Sequence, residues 1–285
     1  MSAPAPTPKC YRHPDRPSSV VCARCDRPIC TDCMIQASVG WQCPECVHQG
    51  ARQSREIRPF ANRNRTGIVG STNPTPMVIA LIAVNVACFV ASGFGSSSAL
   101  TRFALQPIDV HTVHQYYRLV TAMFLHANLL HIASNMFTLL IVGPAVEVIL
   151  GRTRFLVLYL IAGLGGSVCS YLLSPAAELG VGASGAIMGL MGAYVVLALR
   201  QRRPMGPVVA LLVLNLAIGF TGAIDWRAHI GGMVVGGLTA LAYDSADGMR
   251  QVASRIALAV GANVVTVALL GGLVLAIGPG HVNFN

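Results

Sequence analysis

Two apolar stretches decide how this chain folds: GASGAIMGLMGAYVVLALR (residues 182–200) and AHIGGMVVGGLTALAY (residues 228–243). Each approaches the length of a membrane-spanning helix, which takes about 20 apolar residues. Each also carries two glycines four residues apart, Gly185 with Gly189 and Gly232 with Gly236. Because glycine lets helix backbones approach closely, the sequence predicts that these two helices pack against each other within a membrane.

The rest of the chain also has the composition of a membrane protein. Only 11% of the 285 residues are charged, whereas a soluble domain carries about 25%. Residues 1–70 hold Lys9, nine arginines and five acidic residues, and residues 71–285 hold ten arginines and six acidic residues. This split excludes a single compact soluble domain, and the membrane composition excludes a secreted disulfide scaffold.

Apolar runs predict an all-α membrane protein with seven spanning helices. They lie near residues 77–93, 129–149, 155–173, 184–199, 207–223, 228–243 and 255–278. The links at 151–154 and 200–203 and the tail of the 244–255 link are basic, whereas the alternate links hold Asp109, Glu178 and Asp225 with fewer arginines. Since basic links stay on the cytoplasmic side, we expect a cytoplasmic N-terminus and an external C-terminus.

The net charge of +9 is better explained by arginines that orient the protein in a membrane than by binding to nucleic acid. The arginines after residue 70 cluster between apolar runs, where such orienting charges lie. The sequence divides into a metal-binding head at 1–50, a basic linker at 51–75 and a membrane domain at 76–285. The arginines of the linker are expected to lie against anionic lipid headgroups of the bilayer. No nucleic-acid partner is expected.

The head carries eight cysteine and histidine residues in four pairs, each with two residues between its members. The pairs are Cys10 with His13, Cys22 with Cys25, Cys30 with Cys33, and Cys43 with Cys46. This set is enough for two tetrahedral Zn²⁺ ions that stabilise a small domain without a large core. His48 is an alternative ligand, and free thiols or disulfides are the alternative to metal. No catalytic group is evident, so a binding or regulatory module with a cytoplasmic protein partner is expected.

The order of these pairs resembles cross-brace zinc modules of the B-box type. That resemblance implies that the first and third pairs share one zinc ion and that the second and fourth pairs share the other.

Polar residues recur in the predicted membrane helices, where they are costly and mark candidate functional sites. His131 and Asn135 are four residues apart and point the same way on a helix, whereas His126 and His131 need not share a face. Ser184 and His229 each lie at the outer start of a predicted helix. A serine beside a neutral histidine is the minimum needed to activate a hydroxyl nucleophile. The alternative for a single histidine is a structural hydrogen bond.

From about residue 76 to residue 243, the sequence resembles the rhomboid family of intramembrane serine proteases. The resemblance is carried by Tyr117-Arg118, by His126-x4-His131-x3-Asn135, by Gly182-Ala183-Ser184-Gly185 and by Ala228-His229-x-Gly231-Gly232. It implies a bundle of six transmembrane helices, with the helix at 255–278 added at the C-terminus (6+1). It also implies an integral multi-pass protein of a bacterial-type plasma membrane.

The resemblance implies a role for each of these residues. Ser184 would be the nucleophile and His229 its general base, with His131, Asn135 and the Ser184 backbone N–H as the oxyanion hole. The supporting residues would be His126, Arg118, Gly182 and Gly185, with Arg118 holding the first external loop. Glu147 would be structural. No cofactor would take part in catalysis.

Two positions depart from the family pattern. Tyr117 stands where many relatives have tryptophan, and Met188 stands where bacterial relatives often have an aromatic residue that stacks on the histidine. The expected activity is hydrolysis of peptide bonds in or near the transmembrane segments of membrane proteins. The alternatives are an inactive relative that acts as a binding or escort protein, and a transporter; a transporter would need inverted repeats, which the sequence lacks.

Overall fold

The computed structural model describes residues 8–37, 39–50, 75–218, 224–249 and 251–277. The chain forms two compact units, Met1–Arg65 and Thr66–Asn285. Nearly all of the predicted linker at 51–75 lies outside the described residues, so the predicted domain boundaries stay predictions.

The first unit is built from two short antiparallel hairpins. Strand β1 (Val20–Val21) pairs with β2 (Pro28–Ile29), and β3 (Ile35–Gln36) pairs with β4 (Trp41–Gln42). A 3-10 turn spans Thr31–Cys33, and residues 44–50 form helix α1. The buried apolar residues of this unit are largely its cysteines. A core this small provides little hydrophobic stabilisation, which favours a metal-stabilised domain.

The second unit is helical. Its helices are α2 (Pro76–Ala91), α3 (Ser97–Phe103), α4 (Pro107–Thr112), α5 (Arg118–Thr121), α6 (Leu129–Leu150), α7 (Arg152–Leu173), α8 (Ser184–Gln201), α9 (Gly206–Ile218), α10 (Trp226–Asp247) and α11 (Val252–Ala276). Over the described residues, each of the seven predicted spans corresponds to one of the longer helices; residues 219–223 of the fifth span and residue 278 of the seventh lie outside the described residues. Helices α3, α4 and α5 form the link between the first two spans. The all-α prediction for the membrane part is confirmed.

Four of these helices, α6, α7, α8 and α11, are long and apolar enough to cross a membrane. Helices α2 and α9 are apolar but shorter, with 16 and 13 residues. Helix α10 has 22 residues but carries charges at both ends and many glycines. It packs mainly against α7 and α8, so much of its surface faces protein rather than lipid and does not need to be apolar. The predicted count of six plus one stays a prediction.

Helices α8 and α10 meet through glycines, as predicted from their spacing. A methyl group added at Gly232 would overlap the carbonyl of Gly185, and one at Gly236 would overlap the carbonyl of Gly189. The two backbones therefore touch, which is the packing that small residues allow in membranes. This contact fixes the starts of both helices relative to each other.

Glu147 joins α6 to α2, which confirms its predicted structural role. Its buried carboxylate accepts hydrogen bonds from the backbone N–H groups of Met77 and Val78, both at 3.1 Å, and from the hydroxyl of Thr75. The first N–H groups of a helix have no acceptor within the helix, and their partial positive charge favours an anion. Glu147 therefore caps α2, although it lies 70 positions after Met77 in the sequence.

Candidate active site and metal centre

Ser184 is the first residue of α8. The turn before it is held by a hydrogen bond from the Gly182 N–H to the carbonyl of Ala122, at 2.9 Å. Gly182 has φ of +124°, a conformation that L side chains rarely adopt. Since the first N–H groups of a helix have no intrahelical acceptor, the backbone N–H of Ser184 is available to a negatively charged oxygen.

His131 and Asn135 reach the same region from α6. Asn128 caps this helix by accepting a hydrogen bond from the His131 N–H at 2.9 Å. The His131 ring lies against Gly182, where an added Cβ would be only 2.7 Å from Nε2. Asn135 Nδ2 donates to the His131 carbonyl at 3.1 Å, and its second hydrogen remains for another acceptor.

His229 is fully buried in the first turn of α10. Asp225 caps this helix by accepting hydrogen bonds from the N–H groups of Arg227 and Ala228, at 3.0 and 3.2 Å. The second carboxylate oxygen of Asp225 accepts a hydrogen bond from Ser170 on α7. The start of α10, and with it His229, is therefore tied to α7 by a partly buried polar contact.

One small cavity, of about 40 Å³, brings the predicted site residues together. A water molecule needs about 10–15 Å³ of such space, so the cavity has room for water. Its polar lining consists of His131, Ser134, Asn135, Thr138, Ser184, Asn215 and His229. Met188 also lines this cavity.

Among the residues described here, none forms a hydrogen bond with either ring nitrogen of His229. Ser184 and His229 therefore face the same cavity without a direct bond between them. Such bonds are often long in ligand-free sites and shorten when substrate binds. A second cavity, of about 510 Å³, also touches His131 and is lined by Asn128, Glu178 and Asp225 among others.

Of the four supporting residues, Arg118 and His126 make the most specific contacts. Arg118 is buried and holds the α3–α4 segment by hydrogen bonds to the carbonyls of Ala104 and Thr101, at 2.7 and 2.9 Å, and by an ion pair with Asp109 at 2.8 Å. His126 is fully buried, and its ring lies edge-on to the His131 ring at 5.1 Å. The helical-wheel argument did not foresee this contact because α6 begins only after His126.

The polar residues near the site that sequence reasoning missed include Ser134 and Thr138, which line the small cavity, and three others. Asn128 and Asp225 are helix caps, and each precedes its helix as an Asn or Asp, which is the usual N-cap signal. Asn215 interrupts the apolar run of α9 and lines the small cavity. A polar residue within an apolar helix was the signal that could have identified it.

In the first unit, eight ligand atoms form two compact clusters. One contains Cys10, His13, Cys30 and Cys33, and the other contains Cys22, Cys25, Cys43 and Cys46, with all ligand atoms of a cluster within 4.8 Å of one another. Pairs one and three are thus together, as are pairs two and four. His48 belongs to neither of these two groups.

The spacing within the clusters fits zinc. Tetrahedral zinc places a sulfur and a nitrogen ligand about 3.5 Å apart and two sulfurs about 3.8 Å apart, from Zn–S and Zn–N bonds of about 2.3 and 2.0 Å. His13 Nδ1 lies 3.4 Å from the sulfurs of both Cys30 and Cys33, and the sulfurs of Cys25 and Cys43 are 3.9 Å apart. Each cluster could therefore hold one metal ion.

The thiols of the first cluster oppose one another electrostatically. Burial and the neighbouring thiols of Cys10 and Cys30 raise the pKa of Cys33 to about 11. Burial alone would also raise the pKa of Cys10, but backbone hydrogen bonds, including one from Cys30, outweigh burial and lower its pKa to about 6. Packed thiols of this kind ionise together only when a cation compensates their charge.

Comparison with known proteins matches residues 113–246 to the rhomboid domain. The chain is 36% identical over 184 residues to rhomboid protease GluP of Bacillus subtilis (strain 168), covering 60% of this chain and 36% of the relative. It is 26% identical over 251 residues to rhomboid protease AarA of Providencia stuartii, covering 76% and 89%. It is 39% identical over 149 residues to RHOMBOID-like protein 6, mitochondrial, of Arabidopsis thaliana, covering 50% and 48%.

The apolar helices define an integral, multi-pass membrane protein, and Ser184 and His229 line a polar cavity within it. Over most of its membrane part this chain is similar to rhomboid proteins, through the matched rhomboid domain and the rhomboid protease relatives. The chain spans between 36% and 53% of the length of GluP, of RHOMBOID-like protein 6 and of RHOMBOID-like protein 1.

Proposed function

We propose that this protein is an intramembrane serine protease that hydrolyses peptide bonds in or near the transmembrane segments of membrane proteins. The observation that carries the proposal is the single small cavity lined by Ser184, His229, His131 and Asn135. Two of the relatives described above are named rhomboid proteases, which supports the same reaction.

The reaction would use a serine–histidine dyad. The Ser184 hydroxyl adds to the scissile carbonyl carbon while its proton passes to a neutral ring nitrogen of His229. His229 then gives this proton to the leaving amine, and the C–N bond breaks to leave an acyl group on Ser184. The neutral form of His229 is the form that accepts this proton.

The oxyanion would be stabilised by three donors. These are the backbone N–H of Ser184 at the start of α8, the free hydrogen of Asn135 Nδ2, and the His131 ring next to Gly182. Donors that are already fixed in a site of low dielectric stabilise developing charge strongly because they need not reorganise. Asn128 holds His131 by capping α6, and Asp225 holds His229 by capping α10.

The substrates would be membrane proteins with a transmembrane segment that unwinds readily. Peptide bonds inside a stable helix are shielded by their own hydrogen bonds, so a segment has to unwind before Ser184 attacks it. The cavity of about 510 Å³ next to His131 gives an unwound segment room to approach the site. Small residues at the cut would fit a site built from glycine-rich helices.

We also propose the membrane topology predicted from the charges. Helices α2, α6, α7, α8, α9 and α10 would form the six-helix bundle, and α11 would be the added seventh span. The basic links at 151–154 and 200–203 would be cytoplasmic. With seven spans, the N-terminus would be cytoplasmic and the C-terminus external.

The head would be a B-box-like module with two structural Zn²⁺ ions. The ligand groups described above support the cross-brace arrangement. Zinc would stabilise the head, bind no substrate and take no part in peptide hydrolysis. A cytoplasmic protein is the expected partner of this module.

The test of the proposed function is covalent labelling. A mechanism-based inhibitor that acylates activated serines should label the full chain in detergent, and peptide mapping should find the label on Ser184. Prior unfolding should prevent labelling, because it separates Ser184 from His229. Labelling of another residue, or none, would refute the proposed nucleophile.

Replacing Asn135 with alanine tests the oxyanion hole. We expect kcat for a model transmembrane substrate to fall about ten- to a thousand-fold, which is the scale for the loss of one side-chain donor. KM should change much less, because the donor acts mainly in the transition state. Steady-state kinetics in detergent measure both constants. If KM alone rises, Asn135 is a packing residue.

A further inference from the structure

Asn215 is a polar residue on α9, where nearly all the other side chains are apolar. The side chains of its neighbours Val213 and Leu214 are 57% and 55% exposed, in positions open to lipid. Asn215 is only partly exposed and lines the small cavity together with Ser184 and His229. A polar group in a membrane helix costs free energy, so its position at the reaction site needs a functional explanation.

The hydrogen bonds of Asn215 define what it offers to the cavity. Its Nδ2 donates to the carbonyl of Leu211, one turn earlier, at 2.8 Å. This bond orients the amide and leaves the Oδ1 oxygen as an acceptor. The hydroxyls of Ser134 and Thr138 are already used as donors to carbonyls of α6, both at 2.9 Å. The cavity thus has room for water and an oriented acceptor on the α9 side.

Hydrolysis of an acyl-serine requires a water molecule with a defined orientation. The water has to give one proton to the general base while its oxygen faces the acyl carbon, and its second hydrogen needs an acceptor. We propose that Asn215 positions the hydrolytic water, with Oδ1 accepting the second hydrogen while His229 takes the first. This inference rests on the proposed serine protease function.

The step balances without a further reagent. The water oxygen forms a bond to the acyl carbon, and its proton passes to a neutral ring nitrogen of His229. The bond from Ser184 Oγ to the acyl carbon then breaks, and Oγ takes the proton back from His229. The products are a peptide carboxyl group and the free serine. Asn215 is chemically unchanged and is a positioning residue.

Carbamoylated enzyme tests this step separately from the attack by serine. An aryl carbamate transfers its carbamoyl group to Ser184, the excess reagent is removed, and the return of protease activity reports hydrolysis by water. The full chain in detergent is used, as wild type and as Asn215→Leu. Leucine has the same branching at Cγ, suits an apolar helix and lacks the acceptor.

We expect Asn215→Leu to be carbamoylated at the wild-type rate but to recover activity about ten-fold more slowly, which is the rate equivalent of one lost hydrogen bond. Hydroxylamine is a stronger nucleophile that does not depend on a positioned water. It should remove the carbamoyl group from both enzymes at similar rates. Asn215→Gln keeps an amide oxygen, so its activity should return at a rate between those of Asn215→Leu and wild type. Val213→Ala is the matched control on the exposed face of α9 and should recover like wild type.

Equal recovery of Asn215→Leu and wild type would overturn the proposal. So would an equal slowing of carbamoylation, of recovery in water and of release by hydroxylamine, because that pattern indicates general damage to the site. If wild-type Ser184 is not carbamoylated at all, the proposed protease function fails as well. That outcome is distinct from a labelled enzyme whose recovery does not depend on Asn215.

Discussion

Replacing Ser184 with alanine is expected to abolish cleavage of a model transmembrane substrate, a loss on the order of 10⁶-fold. Without the hydroxyl no acyl-enzyme can form, and no other group restores it. The protein should still fold and insert, because alanine is a good helix former and fits the space of serine. Cleavage is measured on gels after reconstitution into liposomes, and folding is measured by thermal unfolding of the purified protein.

Ser134 is the matched control for this experiment. It is a second serine that lines the same cavity, but its hydroxyl donates to the carbonyl of His131 on its own helix. Ser134→Ala should therefore retain most of the activity. If Ser184→Ala retains activity and Ser134→Ala loses it, the nucleophile has been assigned to the wrong serine.

His229→Ala should be nearly as severe as Ser184→Ala. The serine hydroxyl then has no proton acceptor, and its ordinary pKa is too high for attack at neutral pH. Because the two residues act as a unit, the double variant Ser184→Ala/His229→Ala should lose no more activity than Ser184→Ala alone. Losses that multiply in the double variant would argue against a dyad.

The sequence was sufficient to predict the helix contact and the shared helix face that depend on local patterns. Glycine spacing indicated the contact of α8 with α10, and the four-residue spacing of His131 and Asn135 put both on one face of α6. Once these helices were paired, Ser184 and His229 had to lie near each other, since each is in the first turn of its helix. Period and spacing are local properties that a sequence displays directly.

Contacts between distant segments could not be predicted in this way. Asp225 binds Ser170 on another helix, and nothing near either residue in the sequence indicates this partner. His126 meets His131 because the chain turns just before α6 begins, which a helical wheel does not include. Asn215 reaches the cavity through the packing of α9. Each depends on tertiary geometry rather than on periodicity.

The span predicted at 228–243 corresponds to α10, which is less apolar than the other long helices. Its glycines, histidine and terminal acidic residues lower its average hydropathy, whereas its packing against α7 and α8 means that lipid does not have to solvate it. A buried helix that carries a reaction site can be more polar than its neighbours, and α10 is the helix that carries His229. Functional polarity therefore weakens the signal for span prediction.

Removal of zinc is expected to unfold the head completely. A fragment of residues 1–50 should bind about two zinc ions, and a chelator should remove them and abolish its folded circular dichroism and NMR signals. Binding of structural zinc supplies about 10–16 kcal/mol in small zinc modules, more than a core made largely of cysteines can replace. A chain beginning at Thr66 should still cleave a model substrate in detergent, with or without chelator.

Paired substitutions distinguish the cross-brace grouping of the ligands from grouping in sequence order. If Cys10 and Cys30 share one ion while Cys22 binds the other, the double variant Cys10→Ser/Cys30→Ser should keep about one zinc per chain, and Cys10→Ser/Cys22→Ser should keep none. Grouping in sequence order would reverse these two results, because Cys10 and Cys22 would then share an ion. Zinc content measured by mass spectrometry decides between them. Chelator-sensitive cleavage by the chain that begins at Thr66 would contradict the separation of zinc from catalysis, since that chain lacks all eight ligands.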